Sequence, residues 1–341
     1  KQGFVYVFDR VTGEPVWPIE ERPVPQETNM PGEVPSATQP FPTKPAPFDY
    51  QGVTIDDLVD FTPEIRAMAL EAVEGFRLGP LFTPLDRNIE GVTRGTIMRP
   101  PNTGAAGWAG AAVDPETGIL YVPSFNQPVV MSLYQPDPAL GATVAYTHGA
   151  PETERLARIR ARTDRGAQMP LGLPLVKPPY SRMSAIDLNT GEYLWVIPHG
   201  DAPEDQQERI RNHPLLAGVE LPRTGVANLR IGTLVTKTLV IAGDGGLFTN
   251  SAGVRGSALR AYDKTTGDEI GSVPLPVPAT GSPMTYALDG EQYLVVAIAG
   301  GGFAGDGANA QQILRKGLKF AHMPLLTPAI RTSLARSVVR C

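Results

Sequence analysis

A five-residue pattern, Asp-x-x-Thr-Gly, constrains this chain more than any other feature, because it occurs four times. The copies are Asp9-Arg10-Val11-Thr12-Gly13, Asp114-Pro115-Glu116-Thr117-Gly118, Asp187-Leu188-Asn189-Thr190-Gly191 and Asp263-Lys264-Thr265-Thr266-Gly267. At average residue frequencies a chain of this length would show the pattern about 0.1 times, so four copies mark a repeat architecture. A strand-like run precedes the Asp (Phe4 to Phe8, Met183 to Ile186, Ala258 to Tyr262), and another follows the Gly (Ile119 to Val122, Tyr193 to Ile197). Asp accepts backbone N–H groups across a tight turn and Gly takes positive φ, so each copy reads as a β-hairpin.

The four glycines stand 105, 73 and 76 residues apart, whereas one blade of a β-propeller needs about 40–50 residues. The excess lies in inserts. Residues 18–50 are rich in proline, among them Pro18, Pro23, Pro25, Pro40 and Pro42, and read as an extended loop wrapped over a surface. Residues 63–76 carry Ile65, Met68, Ala69, Ala72 and Phe76 on one helical face behind Pro63. Residues 151–163 and 203–212 are two more short helix candidates. With 36 Gly and 35 Pro in 341 residues, about twice the usual share, a helical bundle is excluded and a β-rich chain with long loops is favoured.

Charge and cysteine usage narrow the function classes. A formal charge of −5 argues against a general phosphate-binding surface, and hence against nucleic acid. No run reaches the ~18 apolar residues of a membrane span. Cys341 is the only cysteine, which excludes an internal disulfide framework and a Cys-rich zinc site. The chain opens at Lys1 directly in a strand-like run, as expected of a fragment or processed chain. From Gln311 to Cys341 there are six Lys or Arg and no acidic residue, so residues 303–341 read as a divergent basic tail outside the fold.

Few constellations carry chemistry. Gly300-Gly301-Gly302-Phe303-Ala304-Gly305 fits a dinucleotide fingerprint after the strand-like run Leu294 to Ala299. No acidic residue follows Asp306 to hold a ribose, and Met284 to Glu291 reads as a hairpin partner, not a crossover helix. His148, His199, His213 and His322 are scattered, with no metal-ligand spacing, and read as loop residues. No Gly-x-Ser-x-Gly elbow occurs, and Asp244-Gly245-Gly246 has no repeated metal-loop spacing. Trp108 stands among Gly107, Ala109, Gly110 and Ala111, and is expected to lie flat and buried between neighbouring sheets.

At this stretch, Trp108 to Ser124, the chain resembles the quinoprotein dehydrogenases, β-propellers that bind pyrroloquinoline quinone, and in particular the branch of the membrane-bound glucose dehydrogenase. The stretch looks like that family's tryptophan docking motif. Three further segments agree in order: Gly13 to Pro25 with Thr38 to Pro42, Leu259 to Gly267, and Gly281 to Tyr286 with Gln292 to Val296. The resemblance covers roughly residues 1–302. It implies an all-β fold, a partial propeller of about four of eight blades, with long loop and short helical inserts. It also implies oxidation of an alcohol or aldose sugar by hydride transfer to the quinone, with Ca2+ as metal and ubiquinone or a cytochrome as electron acceptor. The family's periplasmic setting is expected, with membrane contact only through parts outside this stretch. The catalytic aspartate and the calcium ligands are expected upstream of Lys1. Lys1 falls where the family has a lysine that contacts the quinone, and Ser124 and Asn126 fall near a position where an amide does so. A non-catalytic propeller that binds other proteins is the alternative from another class.

Overall fold

The structure is a computed structural model that describes all residues except 90, 137–138, 140–142, 149–172, 201–206, 209–211, 226–231, 245–247, 250–254, 280, 290, 299–318 and 325–341. The helix candidate 151–163 and the glycine-rich 300–305 lie outside the described residues, as do 203–206 and 209–211 of the candidate 203–212. In chain order the strands run β1 (Ile19–Pro23), β2 (Thr38–Pro42), β3 (Phe76–Arg77), β4 (Gly95–Met98), β5 (Ala112–Asp114), β6 (Ile119–Phe125), β7 (Val129–Met131), β8 (Leu133–Tyr134) and β9 (Thr147–His148). They continue with β10 (Ser181–Asp187), β11 (Glu192–Pro198), β12 (Thr233–Val235), β13 (Leu239–Gly243), β14 (Phe248–Thr249), β15 (Arg255–Asp263), β16 (Glu269–Leu275), β17 (Met284–Leu288), β18 (Glu291–Ile298) and β19 (Lys319–Pro324). One α-helix of several turns, α1 (Pro63–Ala72), lies between β2 and β3.

The chain divides into two compact units, neither continuous in sequence. The first comprises Lys1–Ala105, Asn126–Pro179 and Ile210–Pro222. It holds the hairpin β1–β2, the small sheet β3–β4–β7, the pair β8–β9, and α1. The helix starts as its sequence requires: Pro63 sits in the first turn, and the Thr62 hydroxyl accepts the Ile65 N–H at 3.2 Å. Ile65 and Ala69 are its buried residues.

The proline-rich segment is more regular than an extended loop. Its prolines fall where a ladder tolerates them. Ile19 faces Pro42, Glu21 faces Pro40 and Pro23 faces Thr38. The flanking bonds, Thr43 N–H to the Pro18 carbonyl at 2.9 Å and Val24 N–H to the Ala37 carbonyl at 3.2 Å, fix the alternate positions as the donating ones. All three strand prolines therefore stand where the N–H would point away from the partner. The expected strand Phe4 to Phe8, by contrast, makes only the bridge Phe8 to Pro15: after Val16 N–H, bonded to the Val7 carbonyl at 2.9 Å, the next donating position is Pro18, which has no N–H.

The second unit comprises Ala106–Phe125, Tyr180–Arg209 and Arg223–Cys341 and contains three stacked sheets. The first has the order β11-β10-β6-β5 and the second the order β12-β13-β15-β16 with β14 on β15. The third is β17-β18-β19, so Lys319–Pro324, within the stretch read as a tail, pairs with β18. Tyr121, Met183 and Ala185 of the first sheet bury themselves against Val240, Ala242 and Tyr262 of the second. The opposite face of the second sheet, Ile241, Leu259 and Leu275, packs on Leu294, Val296 and Ile298 of the third. Strands β13 and β15 of the second sheet thus send side chains into two cores, one on each face, as expected of propeller blades.

All four Asp-x-x-Thr-Gly turns close alike. The Gly N–H reaches the Asp carbonyl at 2.8, 2.8, 2.7 and 2.9 Å, and the four glycines have φ of 76, 74, 75 and 80°. Each Asp Oδ1 accepts an N–H two residues on, at 2.8 Å from Val11, 3.1 Å from Glu116, 2.8 Å from Asn189 and 2.7 Å from Thr265. The turns do not count blades one for one. Those at Asp114 and Asp187 belong to the same sheet, because β6 pairs with β10 after the long excursion through residues 126–180. They touch each other: Leu188 N–H donates to the Gly118 carbonyl at 2.9 Å and Asn189 Nδ2 to the Thr117 carbonyl at 3.0 Å.

Trp108 does not pack as expected. Its side chain stands in solvent, with the residue 82% exposed. The bulk for packing the first sheet on the second comes from Trp195 and Tyr121 instead. The Trp195 indole N–H donates to the Lys264 carbonyl at 3.1 Å, and the Tyr121 hydroxyl to the same carbonyl at 3.2 Å. Lys264 Nζ returns to Asp114 Oδ2 at 2.6 Å. A Cβ on Gly267 would lie 2.9 Å from Trp195 Cδ2, so the turn glycine also lets the indole approach. Trp108 lies in a loop before β5, off the ladder that aims Trp195 at the next sheet.

Candidate cofactor site

Lys1 is held by backbone. Its Nζ donates to the Asn102 carbonyl at 3.2 Å and to the Thr103 carbonyl at 3.1 Å, and its own carbonyl accepts the Ala105 N–H at 3.0 Å. Gly104, at φ +104°, lets this turn close onto Lys1: a Cβ there would meet Lys1 Cα at 3.1 Å. On the other side Gln51 Nε2 donates to the Gln2 carbonyl and Phe48 N–H to the Gly3 carbonyl, each at 2.8 Å. The segment Lys1–Gly3 is therefore threaded between residues 48–51 and 102–105. The ammonium is ordered yet exposed to solvent. It offers a fixed positive charge to an acidic or carbonyl-bearing ligand.

Ser124 and Asn126 flank the end of β6, and both are 1% exposed. The backbone of Ser124 is satisfied, its carbonyl accepting Ser181 Oγ at 3.0 Å. Its own hydroxyl has no partner among the described residues. Asn126 Nδ2 donates to the Pro179 carbonyl at 3.1 Å while Oδ1 has no partner. A buried polar atom without a partner costs about 1–3 kcal/mol, a cost that Ser124 Oγ and Asn126 Oδ1 carry among the described residues. No described hydrogen bond joins Asn126 to Lys1.

Two further clusters escaped the reading of the sequence. One is Arg99, 5% exposed, with Nη2 on Asp57 Oδ1 at 2.6 Å. The other centres on His199, which is fully buried in the segment just after β11. Gly200 N–H donates to the Tyr262 hydroxyl at 3.1 Å, which leaves that hydroxyl's proton for His199 Nδ1 at 3.0 Å. His199 Nε2–H then faces the Gly243 carbonyl at 3.3 Å, so the imidazole is satisfied when neutral. Burial pushes its pKa down, against the pull of Asp244. Asp244 is held by Arg260 at 2.8 and 3.0 Å; Arg260 reaches Glu269 at 2.8 Å, and Glu269 also pairs with Arg223. No spacing in the sequence marks this chain of charges, because its members come from five separate segments.

No group of three or more His, Cys, Asp or Glu side chains among the described residues is arranged to hold a metal ion. The described residues thus gather no carboxylate-rich set of the kind that often holds Ca2+. The Lys1 ammonium, in the first unit, offers the positive charge that the acidic and carbonyl oxygens of a quinone would take.

Comparison with known proteins decides the family. The family model described as PQQ, glucose/ethanol/alcohol dehydrogenase, β-propeller domain, matches residues 1–294. The chain belongs to this family. Among curated relatives, this propeller chain is 27% identical over 311 residues to quinoprotein glucose dehydrogenase A of Acinetobacter calcoaceticus, covering 89% of this chain and 36% of that protein. It is 29% identical over 318 residues to the glycerol dehydrogenase large subunit of Gluconobacter thailandicus, covering 89% and 40%. The chain thus spans well under half the length of these relatives. A solved europium-containing methanol dehydrogenase aligns over 92% of this chain and 37% of its own, at 18% identity and a TM-score of 0.43. No helix among the described residues is long and apolar enough to cross a membrane.

Proposed function

We propose that this chain is part of a dehydrogenase that oxidises an alcohol or a sugar hydroxyl with pyrroloquinoline quinone. The match of the quinone-dependent propeller domain to residues 1–294 carries this reading. The relatives named for glucose and glycerol support a polyol or sugar as substrate. The electrons would go to a respiratory-chain quinone or cytochrome, with the enzyme in the periplasm. Residues 1–302 form the propeller segment, and residues 303–341 are a tail whose Lys319–Pro324 adds a strand to the last sheet. When bound, the quinone supplies a two-electron acceptor.

The residues of this chain bind and orient. The Lys1 ammonium, aimed by two carbonyls, stabilises negative charge that builds on an adjacent ligand oxygen. The Asn126 amide oxygen, in the same unit as Lys1, supplies a buried acceptor. Titration of the purified chain with pyrroloquinoline quinone, followed by its absorbance, tests this. Saturable binding is expected, and Lys1→Ala should weaken it about 10- to 100-fold, the loss of a charge-assisted bond. Equal affinity in the variant would remove Lys1 from the site.

A further inference from the structure

We infer that Arg99 is a positioning residue for Lys1, acting through the segment 99–105; this rests on the reading of Lys1 as a cofactor contact. Lys1–Gly3 runs between two walls, residues 48–51 and residues 102–105, and the ammonium is aimed only by carbonyls of the second. Those carbonyls are on exposed residues, Asn102 and Thr103, so their place depends on what fixes the wall behind them. Arg99 fixes it. Its Nε donates to the Gly52 carbonyl at 2.8 Å and its Nη2 to Asp57 Oδ1 at 2.6 Å. Its guanidinium carbon lies 4.9 Å from the centre of the Tyr50 ring, and its own carbonyl accepts the Gly52 N–H at 2.7 Å.

Main chain and side chain of one residue thus tie the two walls together. Asp57 is itself locked, because its other oxygen accepts Thr54 N–H at 2.7 Å and Thr54 Oγ1 at 2.8 Å. Gly52 is closely packed as well: a Cβ there would lie 2.6 Å from the Gly79 carbonyl oxygen. From Arg99 the chain passes through Pro100 and Pro101, whose rings fix φ, and then turns through the bond from Gly104 N–H to the Pro101 carbonyl at 2.7 Å. A displacement at Arg99 is therefore passed on to Asn102 and Thr103 and is not absorbed between them. A lysine at position 99 would keep the charge, but it has no planar fork to hold Gly52 and Asp57 while stacking on Tyr50.

The test is a double-mutant cycle on quinone affinity, with amide exchange at Ala105 measured on the same chains without quinone. Arg99→Lys should weaken binding about tenfold and speed exchange of the Ala105 N–H, which is bonded to Lys1. In a Lys1→Ala background Arg99→Lys should add no further loss, because both changes remove one contact. Losses that add, or an unchanged affinity despite faster exchange, would show Arg99 to be structural only and overturn the inference while leaving Lys1 in place. Unchanged binding by Lys1→Ala, or no binding by the unsubstituted chain, would overturn the reading of Lys1 and the inference with it. If Arg99→Lys does not fold, Asp57→Asn, which keeps the shape of the partner and removes its charge, should give the same pattern in weaker form.

Discussion

Trp195 and Trp108 show how little a residue's type says without its ladder. Trp195 is fixed by an indole bond to the Lys264 carbonyl and by contact with Gly267, while Trp108 stands in solvent. Trp195→Ala should therefore cost about 3 kcal/mol in urea unfolding, and Trp108→Ala no more than about 0.5 kcal/mol. Asp114 gives a second prediction at this scale. Lys264 and the Thr117 hydroxyl hold its carboxyl down to about 2, below the ordinary 3.8. A carboxyl lowered on folding stabilises the fold above its unfolded value and loses that contribution as pH falls through the folded one. The stability gap between the native chain and Asp114→Asn should thus be constant above about pH 5. It should close as the pH falls from near 4 towards 2. A gap that did not change with pH would show that Lys264 does not hold Asp114 in its charged form.

Between elements, the repeated turn does two jobs with one sequence. In every copy the glycine takes the positive φ that closes the hairpin. In the copy at Asp263 it also makes room for the Trp195 ring of the adjoining sheet, and its neighbour Lys264 supplies the carbonyl that anchors that ring. Gly13 has the same φ, but nothing lies within 4 Å of where its Cβ would be. Gly13→Ala should then cost only the left-handed backbone term, about 1–2 kcal/mol. Gly267→Ala should cost that and an overpacking penalty of about 1–3 kcal/mol more. Thermal unfolding of the two variants side by side measures the difference. Equal losses would mean that the turn closes hairpins and does not join sheets.

For the whole molecule, the two compact units interleave along the sequence, so no single cut separates them. The stretch 126–179 leaves the first sheet of the second unit after β6, and the chain returns to the same sheet as β10. A ligand that binds the folded chain should stabilise it by mass action. At a hundred times its dissociation constant, pyrroloquinoline quinone should add about 2.7 kcal/mol to unfolding, seen as a higher melting temperature. NAD at the same concentration should leave the melting temperature unchanged. A shift with NAD and none with the quinone would restore the dinucleotide reading of Gly300–Gly305.

What the sequence determined by itself was local or repeated. Asp-x-x-Thr-Gly specifies its turn within five residues, so all four turns, the strands beside three of them and the quinoprotein likeness were legible without coordinates. So was the start of α1 at Pro63, with Ile65 and Ala69 on its buried face, but not its end: the helix stops at Ala72, and Phe76, read as part of it, opens β3. The ladder in the proline-rich segment was not legible, because composition hides register, and register placed each proline where no donor was needed. Which tryptophan joins two sheets was decided by the tertiary structure, since the spacing around Trp108 says nothing about whether a partner sheet stands over it. The same holds for the clamp on Lys1 and for the charges around His199. Their members are tens of residues apart, and the Coulomb and hydrogen-bond terms that bind them act through space, where a linear pattern leaves no trace.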